Sequence, residues 1–266
     1  MTTTHRYAEL HPDALARLIE AGAPAIVPWG ALEWHGPHLP LGLDGLVADA
    51  FAERLAPRVD GVLFPTTWWA ATTLPHALSL QIPSSLFAEL VKALLEELHR
   101  LGFGRVALIS GHYAHPHELL LMEAAEQALA QHGLLVLAAP PLALLGEEYL
   151  DHAARWETSQ LLAVRPELVR LELLDALGTD DAAQALTQTA VLGQDPRQEA
   201  SPAQGKAVLD EALQAWAERV AALSPSWLTQ FYRRRRAAYN SWLERFFRGD
   251  WEAALITWWR DRTGQP

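Results

Sequence analysis

Residues 25–56 read AIVPWGALEWHGPHLPLGLDGLVADAFAERLA, and their reading decides the fold. Ala25 to Trp29 is a short, wholly apolar run of buried-strand length. Gly45 to Ala56 then places Leu46, Val47, Ala50, Phe51 and Leu55 at helical spacing. A strand feeding a helix through a polar turn is half of a parallel-sheet unit, and the unit recurs downstream. Gly61 to Pro65 is a second predicted strand. Ser84 and Ser85 are candidate caps of a helix that carries Phe87, Val91, Leu95 and Leu98 and stops at Gly102. Arg105 to Ile109, a helix from His117 to His132 ended by Gly133, and Leu134 to Ala138 complete the rhythm. It predicts a mainly parallel sheet with helices on both faces, an architecture that binds ligands at the carboxyl ends of its strands. Residues 178–204 are polar and irregular and read as a long surface excursion. Residues 203–223 return to helical periodicity.

The chain of 266 residues is long enough for one large domain, and half of it is hydrophobic, which excludes a disordered or fibrous protein. A net charge of −11 argues against nucleic acid or an anionic membrane as partner. No apolar stretch reaches membrane-spanning length, and Met1 to Asp13 has no secretory apolar core, so the expected location is the cytoplasm. Cysteine is absent, which removes disulfides, iron–sulfur clusters, thiolate-ligated zinc and a thiol nucleophile. All 11 histidines lie at or before His152.

Three polar clusters follow three of the predicted strands. The first holds Glu33, His35 and Asp44. Glu33 and His35 are two apart and share a side in extended backbone, while the intervening Gly and Pro residues let the loop return Asp44 to them. Two carboxylates and an imidazole suit zinc, manganese or iron(II), although a capped strand-to-helix turn with solvated polar groups reads the same way. The second cluster runs from Ser110 to Glu118. His112 could complete a metal site, while His115 and His117 could equally line the start of the next helix. The third runs from Asp151 to Ser159. In a doubly wound sheet all three converge on one edge.

These residues resemble the creatininase (creatinine amidohydrolase) family. Gly30 to Asp44 matches its G-x-x-E-x-H-G-P-H-L-P-L-x-x-D, Ser110-Gly111-His112 its N-G-H, and His152 to Ser159 its H-A-G-x-x-E-T-S. Gly193 to Pro196 and Gly205-Lys206 resemble two later segments, so the likeness spans roughly residues 8–223. The resemblance implies a three-layer α/β/α sandwich and a homo-oligomer, a hexamer. It implies a hydrolase that cuts a C–N bond of a small, cyclic or formamide-type amide through hydroxide on one or two divalent ions (Zn, Mn or Fe). Glu33, Asp44 and His112 would hold one ion, and His35 with a bridging Asp44 the second. His152 would give the leaving nitrogen its proton, with Glu157 as the other catalytic residue of that motif. Other hydrolytic activities occur in the family, and a metal-poor scaffold that kept the fold is the reading of a different class.

Several positions depart from the pattern. Creatininase itself follows N-G-H with Y-E-N, whose Glu helps hold the second metal. Here Tyr113 is kept but Ala114 and His115 follow, leaving His115 or Glu157 to compensate. The stretch Thr73 to Ile82 retains His76 but lacks the family's acidic residue and P-G-T. The substrate side therefore differs from that of creatininase. His76, Tyr113, Trp68 and Trp69 are its candidate lining, with ordinary packing as the alternative for the two tryptophans. Residues 224–266 lie beyond the likeness. They are rich in aromatics and arginine and read as a helical extension, expected to pack as a hairpin across a subunit boundary, with packing on its own domain or a basic amphipathic membrane or nucleic-acid helix as the alternatives.

Overall fold

The computed structural model describes residues 4–175 and 181–265. The strands are β1 (His5–Arg6), β2 (Ala25–Trp29), β3 (Val62–Leu63), β4 (Arg105–Ser110) and β5 (Leu135–Ala139). The helices are α1 (Pro12–Glu20), α2 (Leu43–Leu55), α3 (Ser84–Leu101), α4 (His115–His132), α5 (Arg155–Val164), α6 (Glu172–Asp175), α7 (Ala182–Thr189), α8 (Pro196–Glu199), α9 (Pro202–Ala221), α10 (Pro225–Phe246) and α11 (Trp251–Thr263). All strand pairs are parallel, in the order β1-β3-β2-β4-β5. The two-residue edge strand β1 carries no period-2 pattern and was not legible in the sequence.

The crossover from β2 to β3 runs one way across the sheet, and those from β3 to β4 and β4 to β5 run the other. Right-handed connections therefore put α2 on one face and α3 and α4 on the opposite face. Contacts agree, since α2 touches α5 and α9 while α3 packs on α4. The result is the expected three-layer sandwich. Its switch in winding falls between β2 and β4, whose carboxyl ends release residues 30–44 and 111–114.

β2 is buried along its whole length, yet it contains Pro28, which has no N–H for a ladder. Pro28 faces the side of β3, and β3 ends at Leu63. Only the Pro28 carbonyl is used there, accepting from the Thr67 N–H at 3.2 Å. The left-handed residues Gly102 (φ 102°) and Gly133 (φ 70°) stop α3 and α4 as their sequence positions predict. The first turn of α3 differs from expectation. Ser84 does not cap it. Its N–H instead donates to the Glu252 carboxylate of α11 at 2.6 Å, a charge-complementary N-terminal contact.

The stretch read as a surface excursion begins outside the described residues. From Asp181 on it contains α7 and α8, and Ala190 at its centre is fully buried. Its polar composition belongs to the outer face of a segment whose inner backbone packs on the first motif. The C-terminal residues form the predicted hairpin, α10 and α11, and its aromatic face is buried in its own chain. Leu228, Phe231, Tyr232 and Tyr239 join the main core, and Trp259 joins a second cluster with Trp34 and Leu39. The expected packing against a neighbouring subunit is thus not needed to bury these rings.

Tyr232 does more than fill space. β5 is the last strand, so one side of it lacks a partner. The Tyr232 hydroxyl donates to the Val136 carbonyl at 2.7 Å and accepts from the Ala138 N–H at 3.0 Å. One side chain thereby takes the place of a sixth strand at that point. Tyr232→Phe leaves both buried backbone groups unpaired and should lower unfolding stability by about 1–3 kcal/mol. A urea denaturation midpoint equal to that of the parent would refute this role.

Candidate metal centre

The centre begins with three glycines. A Cβ on Gly30 would overlap the backbone of Gly45, and one on Gly111 would overlap the Asp44 carbonyl. The end of β2, the start of α2 and the end of β4 are therefore packed backbone to backbone around Asp44. That contact brings the first and second sequence clusters together. Asp151 brings in the third by capping α5, accepting from the Trp156 N–H at 2.7 Å and the Glu157 N–H at 3.1 Å.

The four expected ligands meet there, all buried. The His112 Nδ1 lies 2.9 Å from Glu33 Oε2 and 3.2 Å from Asp44 Oδ2. The His35 Nε2 lies 3.0 Å from Asp44 Oδ1 and 3.7 Å from Glu157 Oε2. The His152 Nε2 is 3.7 Å from Glu33 Oε2. Three sets of ligand atoms cluster within 4.8 Å of one another among the described residues. They are Glu33–Asp44–His112, His35–Asp44–Glu157 and Glu33–His35–His152. Glu157 thus stands beside the second set, while His115 belongs to none. The His115 ring stacks on Tyr239 at 3.9 Å instead.

The donor set fits divalent cations on three grounds. First, each histidine spends its outer nitrogen on a backbone carbonyl, His35 Nδ1 on Glu33 at 3.1 Å, His112 Nε2 on Ala71 at 3.2 Å and His152 Nδ1 on Ala190 at 3.0 Å. A carbonyl only accepts, so those nitrogens carry a proton and the opposite nitrogens point inward, the orientation of metal-binding histidines. Second, Glu33 Oε2, His35 Nε2, both Asp44 oxygens and His152 Nε2 are buried without a hydrogen bond in proper geometry, which is costly unless a cation meets them. Third, three carboxylates share one buried site with no lysine or arginine paired to them among the described residues.

The electrostatics follow. Burial opposes charge on His35, but Asp44, Glu157 and Glu33 outweigh it and raise the pKa to about 10. Burial pushes the Glu157 carboxyl up to about 7, against the pull of His35 and His152. His38 is also buried, and burial lowers it to about 4. Its Nε2 meets the Ala153 carbonyl at 3.1 Å. That loop is itself held at the Ala153 N–H, which donates to Glu157 Oε2 at 2.6 Å.

Thr72, Ala153 and Ala190 have left-handed backbone (φ 59°, 51° and 56°), a conformation that costs a non-glycine residue about 1–2 kcal/mol. Each adjoins or supplies a backbone group that holds a ligand side chain. None of the three is a Gly or Asn, so no sequence signal marks them.

A cavity of about 420 Å³ opens over Glu33, His112 and His152. Tyr113 lines it, with Ala114, His115 and Asp151. Trp68, Trp69 and His76 do not. Trp68 packs flat on Gly42 and Gly45, the Trp69 carbonyl accepts from the Trp29 indole N–H at 2.7 Å, and His76 stacks on Trp34 at 4.1 Å. The far wall is made by Tyr239, Trp242, Leu255, Trp258 and Arg262 of the hairpin, which the sequence did not place at the site.

A family model described as Creatininase: creatinine amidohydrolase matches residues 8–220. The chain belongs to the creatininase family. It is an enzyme of the amidohydrolase class. The chain is 26% identical over 185 residues to creatinine amidohydrolase of Pseudomonas putida, covering 59% of this chain and 70% of that protein. It is 27% identical over 238 residues to the mycofactocin precursor peptide peptidase of Mycobacterium ulcerans (strain Agy99), covering 82% of this chain and 92% of the relative. A crystal structure of creatinine amidohydrolase (creatininase) superposes with a TM-score of 0.72 at 20% identity, covering 83% of this chain and 98% of that one. Among the described residues of this family member, no helix is long and apolar enough to cross a membrane.

Two outcomes are expected. Asp44→Ala should remove most bound metal from the creatininase-family fold while leaving the far-ultraviolet circular dichroism unchanged, and full occupancy by elemental analysis would exclude Asp44 as a shared ligand. Because the carboxylates keep His35 protonated at neutral pH in the metal-free chain, metal uptake should release protons and strengthen as pH rises. Calorimetric titration in two buffers of different ionisation enthalpy checks this, and identical heats in both would contradict it.

Proposed function

We propose that this creatininase-family enzyme hydrolyses a C–N bond of a small amide, a cyclic or formamide-type substrate, at a two-cation site. The observation that carries it is the convergence of three inward histidine nitrogens, each oriented by a backbone carbonyl at its other nitrogen, on Glu33 Oε2 and both Asp44 oxygens, which are buried without a hydrogen bond. Glu33, Asp44 and His112 would hold one ion. His35, Asp44 and Glu157 would hold the other, with Glu157 taking the place left by Ala114. Zinc or manganese is the metal that the donor set and the family favour. When bound, divalent ions lower the pKa of water and polarise a carbonyl.

The chain's own residues supply the rest. The His152 Nδ1–H is fixed on Ala190, so Nε2 presents a lone pair at the rim of the centre. It accepts the proton of the attacking water and returns it to the leaving nitrogen, without which an amine is a poor leaving group. His35 stacks on His152 at 4.4 Å and keeps its ring in plane. Tyr113 borders the substrate space, with its hydroxyl 3.2 Å from the Gln160 amide nitrogen.

Peptide cleavage is the second reading, favoured by the similarity to the peptide peptidase over most of the chain. A cytoplasmic homo-oligomer, a hexamer, is the proposed working form, which light scattering would check.

A hydrolysis screen of the metal-reconstituted protein on lactams, formamides, hydantoin-like rings and short peptides tests the proposal. Turnover of a non-peptide amide that falls at least about 100-fold in His152→Asn, at unchanged metal content, is the expected result. Hydrolysis of peptides alone would transfer the assignment to the second reading. Creatinine itself should turn over below about one per second, since Ala114, His115 and the hairpin give this cavity a different lining. A faster rate would contradict that distinction.

A further inference from the structure

The cavity has two unlike sides. Its floor is the metal centre, with Glu33, His112 and His152. Its far wall is the hairpin, whose first residue, Pro225, lies beyond the end of the family match at residue 220. The wall is rigidly mounted. Arg235, 2% exposed, forms a two-pronged ion pair with the fully buried Glu118, and the Tyr239 hydroxyl donates to the same carboxylate at 2.6 Å. The Tyr232 hydroxyl fastens α10 to the edge of β5, and Glu252 fastens α11 to the start of α3. The His115 ring, next to the missing family ligand at Ala114, stacks on Tyr239 and meets Trp242 edge-on at 5.8 Å. The departure at 115 thus serves the contact with the hairpin.

The charged groups around the cavity are not equivalent. Glu147 is paired with Arg235 at 2.7 Å. Asp151 is spent on the first turn of α5. Glu33 faces the metal centre and accepts from the Leu74 N–H. Arg262 is the one guanidinium on the lining, and among the described residues it has no hydrogen bond and no carboxylate partner. It lies 5.8 Å from the Trp258 ring centroid, with Trp242 on the same wall. A free guanidinium forks two N–H groups toward a carboxylate or phosphate, and flat indoles beside it favour an adjoining planar or apolar body.

We propose that the C-terminal hairpin is the substrate-selecting wall of this site and that Arg262 on it binds a carboxylate or phosphate group carried by the amide substrate. The substrate class is then an anionic amide, held by its charge at the hairpin and by its scissile bond at the floor. This rests on the metal-centre reading for the position of the scissile bond, while the anion contact itself needs no metal.

The test uses the full chain, loaded with manganese(II) and metal-free in parallel, and calorimetric binding of two matched pairs. N-formyl-L-phenylalanine and N-formyl-2-phenylethylamine differ by a carboxylate, and N-formylethanolamine and its phosphate ester differ by a phosphate. The anionic member of at least one pair should bind about tenfold tighter, and the pair that shows it names the anion. Arg262→Ala should reduce the preference below about twofold without changing metal content, and Arg260→Ala, off the cavity, should preserve it. No preference in either pair, no binding by any of the four, or a preference that survives Arg262→Ala overturns the proposal. A preference lost in Arg262→Ala by a protein that hydrolyses nothing supports the anion subsite while sinking the hydrolase reading.

Discussion

The backbone of Asp44 is clasped by glycines from two strand ends, and the site depends on that contact. Gly30 lets the end of β2 touch the start of α2, and Gly111 lets the end of β4 touch the Asp44 carbonyl. Side chains at those positions would drive the segments apart, and Asp44 could no longer stand between His35 and His112. The sheet places these segments at its switch in winding, where the connections leaving β2 and β4 part to opposite faces. Close backbone approach therefore converts a general property of the fold into a centre with distances near 3 Å.

Around that clasp, the protein concentrates cost and offsets it. Three carboxylates and three imidazoles are buried together, and left-handed residues carry or flank the backbone groups that aim them. Such groups would neutralise one another by exchanging protons, as the raised His35 pKa records. A divalent cation would displace those protons and give every inward nitrogen and carboxylate oxygen a partner at once. The strain at Thr72, Ala153 and Ala190 persists because the surrounding packing leaves those residues no other conformation.

The hairpin shows a different economy. A buried Arg235–Glu118 pair adds little net stability over an apolar pair of the same shape, but it admits few alternative positions for α10. The Tyr232 hydroxyl serves the same end by meeting two specific backbone groups of β5. The hairpin is thus held in register with the sheet that carries the candidate metal ligands. This is what lets a segment outside the family match take part in the site.

The sequence alone determined the alternation of strand and helix, because buried strands such as Ala25 to Trp29 and helices stopped by Gly102 and Gly133 write their periods and caps locally. It also picked out the candidate ligands Glu33, His35, Asp44 and His112, which the fold brings together, since one motif of fixed spacing carries three of them. Only the tertiary structure decided the rest. Glu157 joins His35 and Asp44 across more than a hundred residues of chain, and that proximity depends on how Asp151 seats α5. Trp68 and His76 look like pocket residues by composition but pack against Gly45 and Trp34, because burial of an aromatic ring is satisfied by any complementary surface nearby. Residues 181–204 seemed detached because their polarity describes the outer face, while the inner face works through backbone carbonyls that no side-chain pattern reports. The hairpin's destination was undetermined for the same reason. Its aromatic stripe states that a surface must be covered, and only the open edge of β5, the buried Glu118 and the Ser84 N–H at the start of α3 say which one.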